Sequence, residues 1–179
     1  MFERITEETF AEIFPLLEAA FPITELREKE EQRRLLKKSC YSLFGIREKD
    51  VFAAVLAAWD LGEFLYIEHF AVKEALRNTG FGGRLLDSFS EEKERPLVLE
   101  VELPENLLTQ RRIAFYERHG FVYNDYPYMQ PPLRRGQGLL PLRLMTMPER
   151  IDGETYERYK ERIYQIVYEY EEEQEETVL

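Results

Sequence analysis

The sequence predicts a mixed α/β domain in three layers, a central mixed sheet flanked by helices on both faces, with an extra helix at its C-terminal end. Three observations carry this. Segments 41–47 and 51–59 are strand-like and joined by the polar turn Glu48-Lys49-Asp50, a hairpin signal. Segment 64–72 is apolar at nearly every position, as in a central strand covered on both sides. A glycine-containing loop, a helical pattern and a second strand over 96–102 follow it. A strand–helix–strand unit of this length pairs its strands in parallel through a right-handed crossover.

At 179 residues, 44% hydrophobic and 33% charged, the chain suits one ordered domain over residues 1–179. The formal charge of −11 argues against nucleic acid as a partner, because phosphate binding needs a basic surface, and suits a cationic acceptor such as an amine. No apolar run is long enough to span a membrane, and the opening MFERITEETF lacks an apolar signal region. The single cysteine, Cys40, fits a reducing compartment, so a cytoplasmic protein is expected. Two histidines and one cysteine set far apart offer no metal-ligand spacing.

In chain order, 2–5 reads as a short strand, and Thr6 as the cap of a helix carrying Phe10, Ile13, Phe14 and Leu17 on one face. Pro15 kinks or restarts that helix. After the break at Phe21-Pro22-Ile23, a very polar helical stretch is expected from Thr24 to Lys38. In the strand over 64–72, alternation sets Phe64, Tyr66, Glu68, Phe70 and Val72 on one face, with His69 turned away from Glu68. Phe81, Leu85, Leu86 and Phe89 give the crossover helix a buried face. A helix over 107–119 ends at Gly120, a strand begins at 121–123, 127–138 reads as a long loop, and 139–147 as the last strand. Asp152 caps the final helix, expected over 152–175, with Ile151 and Tyr156 as its staple. Its stripe of Tyr156, Tyr159, Ile163, Ile166, Val167 and Tyr170 is a packing surface, against the body or a second copy of the chain in a homodimer. The acidic run 169–176 reads as a solvated helix end.

The chemistry begins at the loop Arg77-Asn78-Thr79-Gly80-Phe81-Gly82-Gly83. Glycines let the backbone turn tightly and approach a ligand, and the amides at the following helix start suit phosphate. Arg77 can add a charge-assisted contact. Arg77-x-x-Gly80-x-Gly82 between strand and helix resembles the acetyl-CoA-binding motif of the GNAT N-acetyltransferase family. Residues 113–121, ending Tyr116-x-x-x-Gly120-Phe121, resemble that family's C-terminal signature. The order of elements over 2–147 is similar as well, and the last helix lies outside the family core. One departure stands out: Thr109-Gln110-Arg111-Arg112 occupies the place where the family commonly has Asn and a small residue, and Asn106 is a candidate displaced counterpart.

The resemblance implies direct attack of an amine on acetyl-CoA, with no metal. It implies that the backbone of Phe70, Ala71 and Val72 holds the pantetheine arm, that the amides of Arg77, Asn78, Thr79, Gly80, Phe81, Gly82 and Gly83 hold the pyrophosphate, and that Tyr116 is the general acid. For the base there are three strand carboxylates, taken in the order Glu100, Glu68, Glu102. Leu99-Glu100-Val101 is similar to the Leu-Glu-Val of the family's ribosomal-protein alanine acetyltransferases, where the glutamate is the base. The alternative for each is a structural carboxylate, hydrated or paired with Arg111 or Arg112. Tyr123, Asn124, Tyr126, Tyr128 and Gln130 either line the acceptor pocket or form a tyrosine-rich surface. His69 reads as a core histidine, His119 as a helix-end cation and Cys40 as a small buried residue. A second reading of the whole is a non-catalytic module that holds acyl-CoA or a partner protein.

Overall fold

The computed structural model describes residues 2–171. Its strands are β1 (Glu3–Arg4), β2 (Tyr41–Glu48), β3 (Val51–Asp60), β4 (Leu65–Val72), β5 (Leu97–Glu102), β6 (Val122–Gln130) and β7 (Leu140–Met147). They form one sheet in the order β1-β2-β3-β4-β5-β7-β6. Only β4 and β5 pair in parallel, as the crossover between them requires; the other neighbours are antiparallel. Helices α1 (Phe10–Ala20) and α5 (Gly153–Ile163) cover one face. Helices α3 (Phe81–Glu91) and α4 (Leu107–Arg118) cover the other. A short α2 (Lys29–Arg34) precedes β2.

Two cores follow from this layering. Phe10, Ile13, Phe14 and Leu17 of α1 meet Tyr156, Tyr159 and Ile163 of α5 over Trp59 and Tyr66. Phe81, Leu85, Leu86 and Phe89 of α3 meet Ile113 and Tyr116 of α4 over Leu65, Ile67 and Leu99. Each large apolar side chain buried this way stabilises the fold by about 1.5–3 kcal/mol. The tyrosine stripe of the last helix is therefore largely covered by its own chain: Tyr159 stacks on Phe64 and Tyr156 on Tyr126.

The alternation expected along β4 does not hold. Ala57 pairs with His69 and Ala58 with Ile67, so Glu68 is an extra residue in a β-bulge. The bulge reverses the parity beyond it. Phe70 and Val72 join Leu65 and Ile67 on the α3 face, and Ala71 joins Tyr66 on the α1 face. It also sets Glu68 and His69 side by side, their nearest side-chain atoms 3.5 Å apart, where simple alternation parts them.

Other expectations are corrected locally. Thr6 begins a turn, and α1 starts at Phe10 and runs through Pro15. The stretch from Thr24 to Lys38 is not one helix: Leu26 and Glu28 are extended, and only Lys29–Arg34 is α-helical. The interruption turns Arg27 inward beside Leu26, burying a charge that a solvated helix would leave outside. The segment read as a loop from Pro127 is strand as far as Gln130, irregular between Asn124 and Tyr128 where Pro127 sits. The last helix, capped by Asp152, closes in a π-turn over Tyr164–Tyr168, and Glu169 turns left-handed at φ 51°. Among the described residues the helical course ends at Tyr168, and 169–171 are not helical; residues 172–175 of that expectation lie outside the described residues.

Candidate active site

The parallel pair β4–β5 holds together for only three residues, Leu65–Ile67 against Leu97–Leu99. Beyond it the bulge bends β4 away, and the strands part. The opening is a cleft of about 860 Å³ that passes from the glycine loop to Tyr168 in the π-turn after α5. Glu68, Phe70, Val72, Gly80, Gly82, Gly83, Glu100, Tyr116, Gln130 and Tyr168 all line it.

The β4 wall presents main-chain groups to the cleft, and of these Val72 C=O accepts from Arg77 Nε at 3.4 Å. Lys73 N–H donates to Ala53 C=O. By the alternation of an antiparallel ladder, Ala71 bonds to β3 likewise, while Phe70 and Val72 turn their N–H and C=O toward the gap. The glycine loop stands at the end of this row. Gly80 has φ +88° and Asn78 φ 63°, a left-handed pair that swings the chain into α3. The first main-chain bond of that helix runs from Arg84 N–H to Gly80 C=O, leaving the amides of Phe81, Gly82 and Gly83 ahead of it for an acceptor. A Cβ on Gly82 would lie 2.9 Å from Val72 Cγ2, and one on Gly83 2.9 Å from His119 Cε1. Only glycine brings the helix start this close to β4 and α4. His119 is fixed there by Asp87, at 2.5 Å from Nδ1. Amides, bare backbone and missing Cβ atoms in one line fit a nucleotide diphosphate with a polar, extended arm.

Two carboxylates face the α1 side of the cleft in different states. Glu68 is inside, its side chain 2% exposed, paired with Arg27 and accepting from Trp59 Nε1 at 3.0 Å. Burial pushes its pKa up, but Arg27, His69 and the Trp59 hydrogen bond outweigh burial and hold it below the ordinary carboxylate value. It is an ionised, occupied group. His69 Nε2–H donates to Glu25 C=O at 2.7 Å, leaving Nδ1 without a hydrogen-bond partner among the described residues; burial holds the ring's pKa below its usual value. Glu100 differs. Burial pushes its pKa up to about 7 against the opposing hydrogen bonds of Tyr128, Tyr168 and Tyr66. Tyr128 donates to Oε1, and Tyr168 Oη lies 2.9 Å from Oε2 and 3.1 Å from Oε1. Glu102, the third candidate, is ion-paired with Arg112 at the rim.

Tyr116 is 7% exposed among Phe70, Phe115 and Phe121, and burial pushes its pKa up to about 12. Asn106 caps α4, accepting from Leu108 N–H and Thr109 N–H, so a helix cap accounts for it. Of the cluster after Tyr116, the cleft receives Gln130, 4% exposed, while Tyr128 reaches Glu100 from behind. Asn124 and Tyr126 instead tie β6 to β7 and to Ile151. Sequence reasoning missed Arg27, Trp59, Tyr66 and Tyr168. An arginine in a polar run and tyrosines on apolar stripes carry no signal of this kind until the bulge and the π-turn aim them.

The model of an acetyltransferase (GNAT) domain matches residues 40–123, which include both walls of the cleft. No protein of curated function matches the sequence significantly. Among solved structures, a GNAT-family protein from Bacteroides thetaiotaomicron is 36% identical, with a TM-score of 0.89 over 96% of this chain and 99% of its own. Two more distant structures share the fold. A GNAT family acetyltransferase from Elizabethkingia anophelis with acetyl-CoA bound is 20% identical, TM-score 0.59, over 82% of this chain and 96% of its own. A ribosomal-protein-alanine N-acetyltransferase from Brucella melitensis is 14% identical, TM-score 0.59, over 82% and 98%. The chain belongs to the GNAT family of acetyltransferases.

Proposed function

We propose that the chain transfers the acetyl group of acetyl-CoA to a primary amine of a small-molecule or peptidyl acceptor, by direct attack with both substrates in the cleft. One observation carries this reading: where β4 leaves β5, the cleft-facing backbone of Phe70 and Val72, unpaired by any neighbouring strand, runs between the glycine-loop amides and the carboxylate of Glu100. The loop amides and Arg77 take the pyrophosphate. The β4 wall takes the pantetheine arm as an added strand would be taken, which sets the thioester beside the bulge. Holding the two reactants together is worth several kcal/mol of the barrier, on the order of 7–11 at best.

Glu100 is the base. As the amine nitrogen bonds to the carbonyl carbon and the carbon–sulfur bond breaks, its carboxylate accepts one proton from the nitrogen. A pKa of about 7 gives it both a useful ionised fraction and proton affinity at neutral pH. Glu68, second in the sequence order, holds Arg27 and the bulge rather than a reacting proton. Tyr116 donates a hydrogen bond to the departing sulfur. Its pKa of about 12 exceeds the ~8.5 of an ordinary thiol, so it favours the thiolate by donating without giving up its proton. Tyr116→Phe is expected to lower turnover and leave acetyl-CoA affinity unchanged.

Calorimetry tests the reading. Acetyl-CoA and CoA should each release or absorb heat at one site per chain. No heat with either would remove the assignment, and binding with no thiol release on any amine would leave the non-catalytic module in its place.

A further inference from the structure

The π-turn that follows α5 reaches the carboxylate proposed as the base. Tyr168 sits on the π-turn after α5, and its hydroxyl lies within 3.1 Å of both oxygens of Glu100 and 3.1 Å from the hydroxyl of Tyr66. A phenol has one proton. With that proton given to the carboxylate, Tyr66 must be the donor to Tyr168, a two-step relay from β4 to the C-terminal turn to β5. The turn itself is anchored from the opposite end of the chain: Arg27 Nη2 donates to Val167 C=O at 2.8 Å while its other nitrogen holds Glu68. Lys38 reaches Glu169 at 3.0 Å just beyond.

We propose that the C-terminal π-turn completes the active site, with Tyr168 as a positioning residue that aims the Glu100 carboxylate at the cleft and sets its acidity, and with Arg27 as the latch that holds the turn in place. This rests on Glu100 being the base. The groups facing Glu100 are Tyr66 and Glu68 from β4, Tyr128 from β6 and Tyr168 from the turn; all three tyrosines have pKa values raised by burial and by Glu100, so all remain donors at neutral pH. Tyr128 supplies one fixed bond, to Oε1, and Tyr168 is the donor in reach of Oε2. Removing it frees the carboxylate to rotate and withdraws a hydrogen bond that favours the ionised form.

The test is a carbon-13 NMR titration of glutamate-labelled protein without ligands, with Glu100→Gln assigning the resonance. In Tyr168→Phe the Glu100 midpoint should rise by about one pH unit, the loss of one charge-assisted bond. Tyr66→Phe, which removes the donor to Tyr168 and a smaller direct contribution to Glu100, should shift it the same way by less. The acid limb of amine-dependent thiol release should move with the midpoint, which a merely structural tyrosine would not cause. If the wild-type midpoint lies near the ordinary 4.5, the base role fails, yet an upward shift in Tyr168→Phe still supports the positioning role. An unmoved midpoint in both phenylalanine variants overturns the inference.

Discussion

At the residue scale the site is defined by two buried carboxylates whose surroundings drive them apart. Glu68 has a guanidinium and an indole N–H; among the described residues Glu100 has phenols as its hydrogen-bond donors. Such separation assigns roles. In the proposed function Glu100, about 7, is the group that exchanges a proton near neutrality, and Glu68, held low, is the fixed charge. Thiol release from acetyl-CoA should therefore rise about tenfold per pH unit below roughly 7 and level off above it, because the ionised form is the active one. Tyr116 adds no alkaline limb before about 12. Glu100→Gln should remove the acid limb and lower turnover by about 10²–10⁴-fold. Gln130 is a buried amide lining the cleft; with the acceptor seated against it as proposed, Gln130→Leu should raise the acceptor's KM and leave acetyl-CoA binding as it was, read by initial rates and calorimetry side by side.

At the scale of elements, the bulge in β4 and the glycines ahead of α3 do complementary work. The bulge parts two strands, and Gly82 lets the helix start close over the gap. Gly82→Ala puts a Cβ 2.9 Å from Val72 Cγ2 and 3.3 Å from Phe70 Cζ, so either these side chains or the start of α3 must shift. We expect a loss of about 1–3 kcal/mol in stability and at least a tenfold weaker acetyl-CoA complex in calorimetry. These elements differ in how far the sequence reveals them. Strand positions, the crossover, the glycine loop and the Tyr116 helix are local patterns, and each is legible. The bulge is not: one extra residue in β4 is a matter of register with β3, and Leu65 to Val72 alternates smoothly on paper. That misread both the face of Phe70 and Val72 and the relation of His69 to Glu68. Arg27 was hidden for a related reason, since its backbone leaves the helical course that its polar neighbours favour in order to meet a partner 41 residues away.

At the scale of the whole molecule, Arg27 ties the segment before α2, the β4 bulge and the C-terminal turn into one unit. Removing one member of a buried ion pair leaves the other uncompensated. Arg27→Met should therefore lower stability by about 3–5 kcal/mol in urea unfolding at pH 7, and pairing it with Glu68→Leu should restore much of that. The two carboxylates give stability opposite pH dependences. Glu68, lowered in the fold, contributes above the unfolded value near 4.5, and the contribution is lost as pH falls through its folded pKa. Glu100, raised to about 7, holds its proton longer in the folded state, so its contribution is present below 4.5 and is lost as pH rises to 7. Melting temperature should decline over that window in the wild type and decline less in Glu100→Gln. The central claim is that this cleft moves an acetyl group to an amine with Glu100 as base. The most direct measurement is free-thiol release at saturating acetyl-CoA across a panel of primary amines, wild type beside Glu100→Gln. The account predicts release that depends on the amine and falls at least a hundredfold in the variant; equal rates in the two proteins, or no amine-dependent release from protein that binds acetyl-CoA, would contradict it.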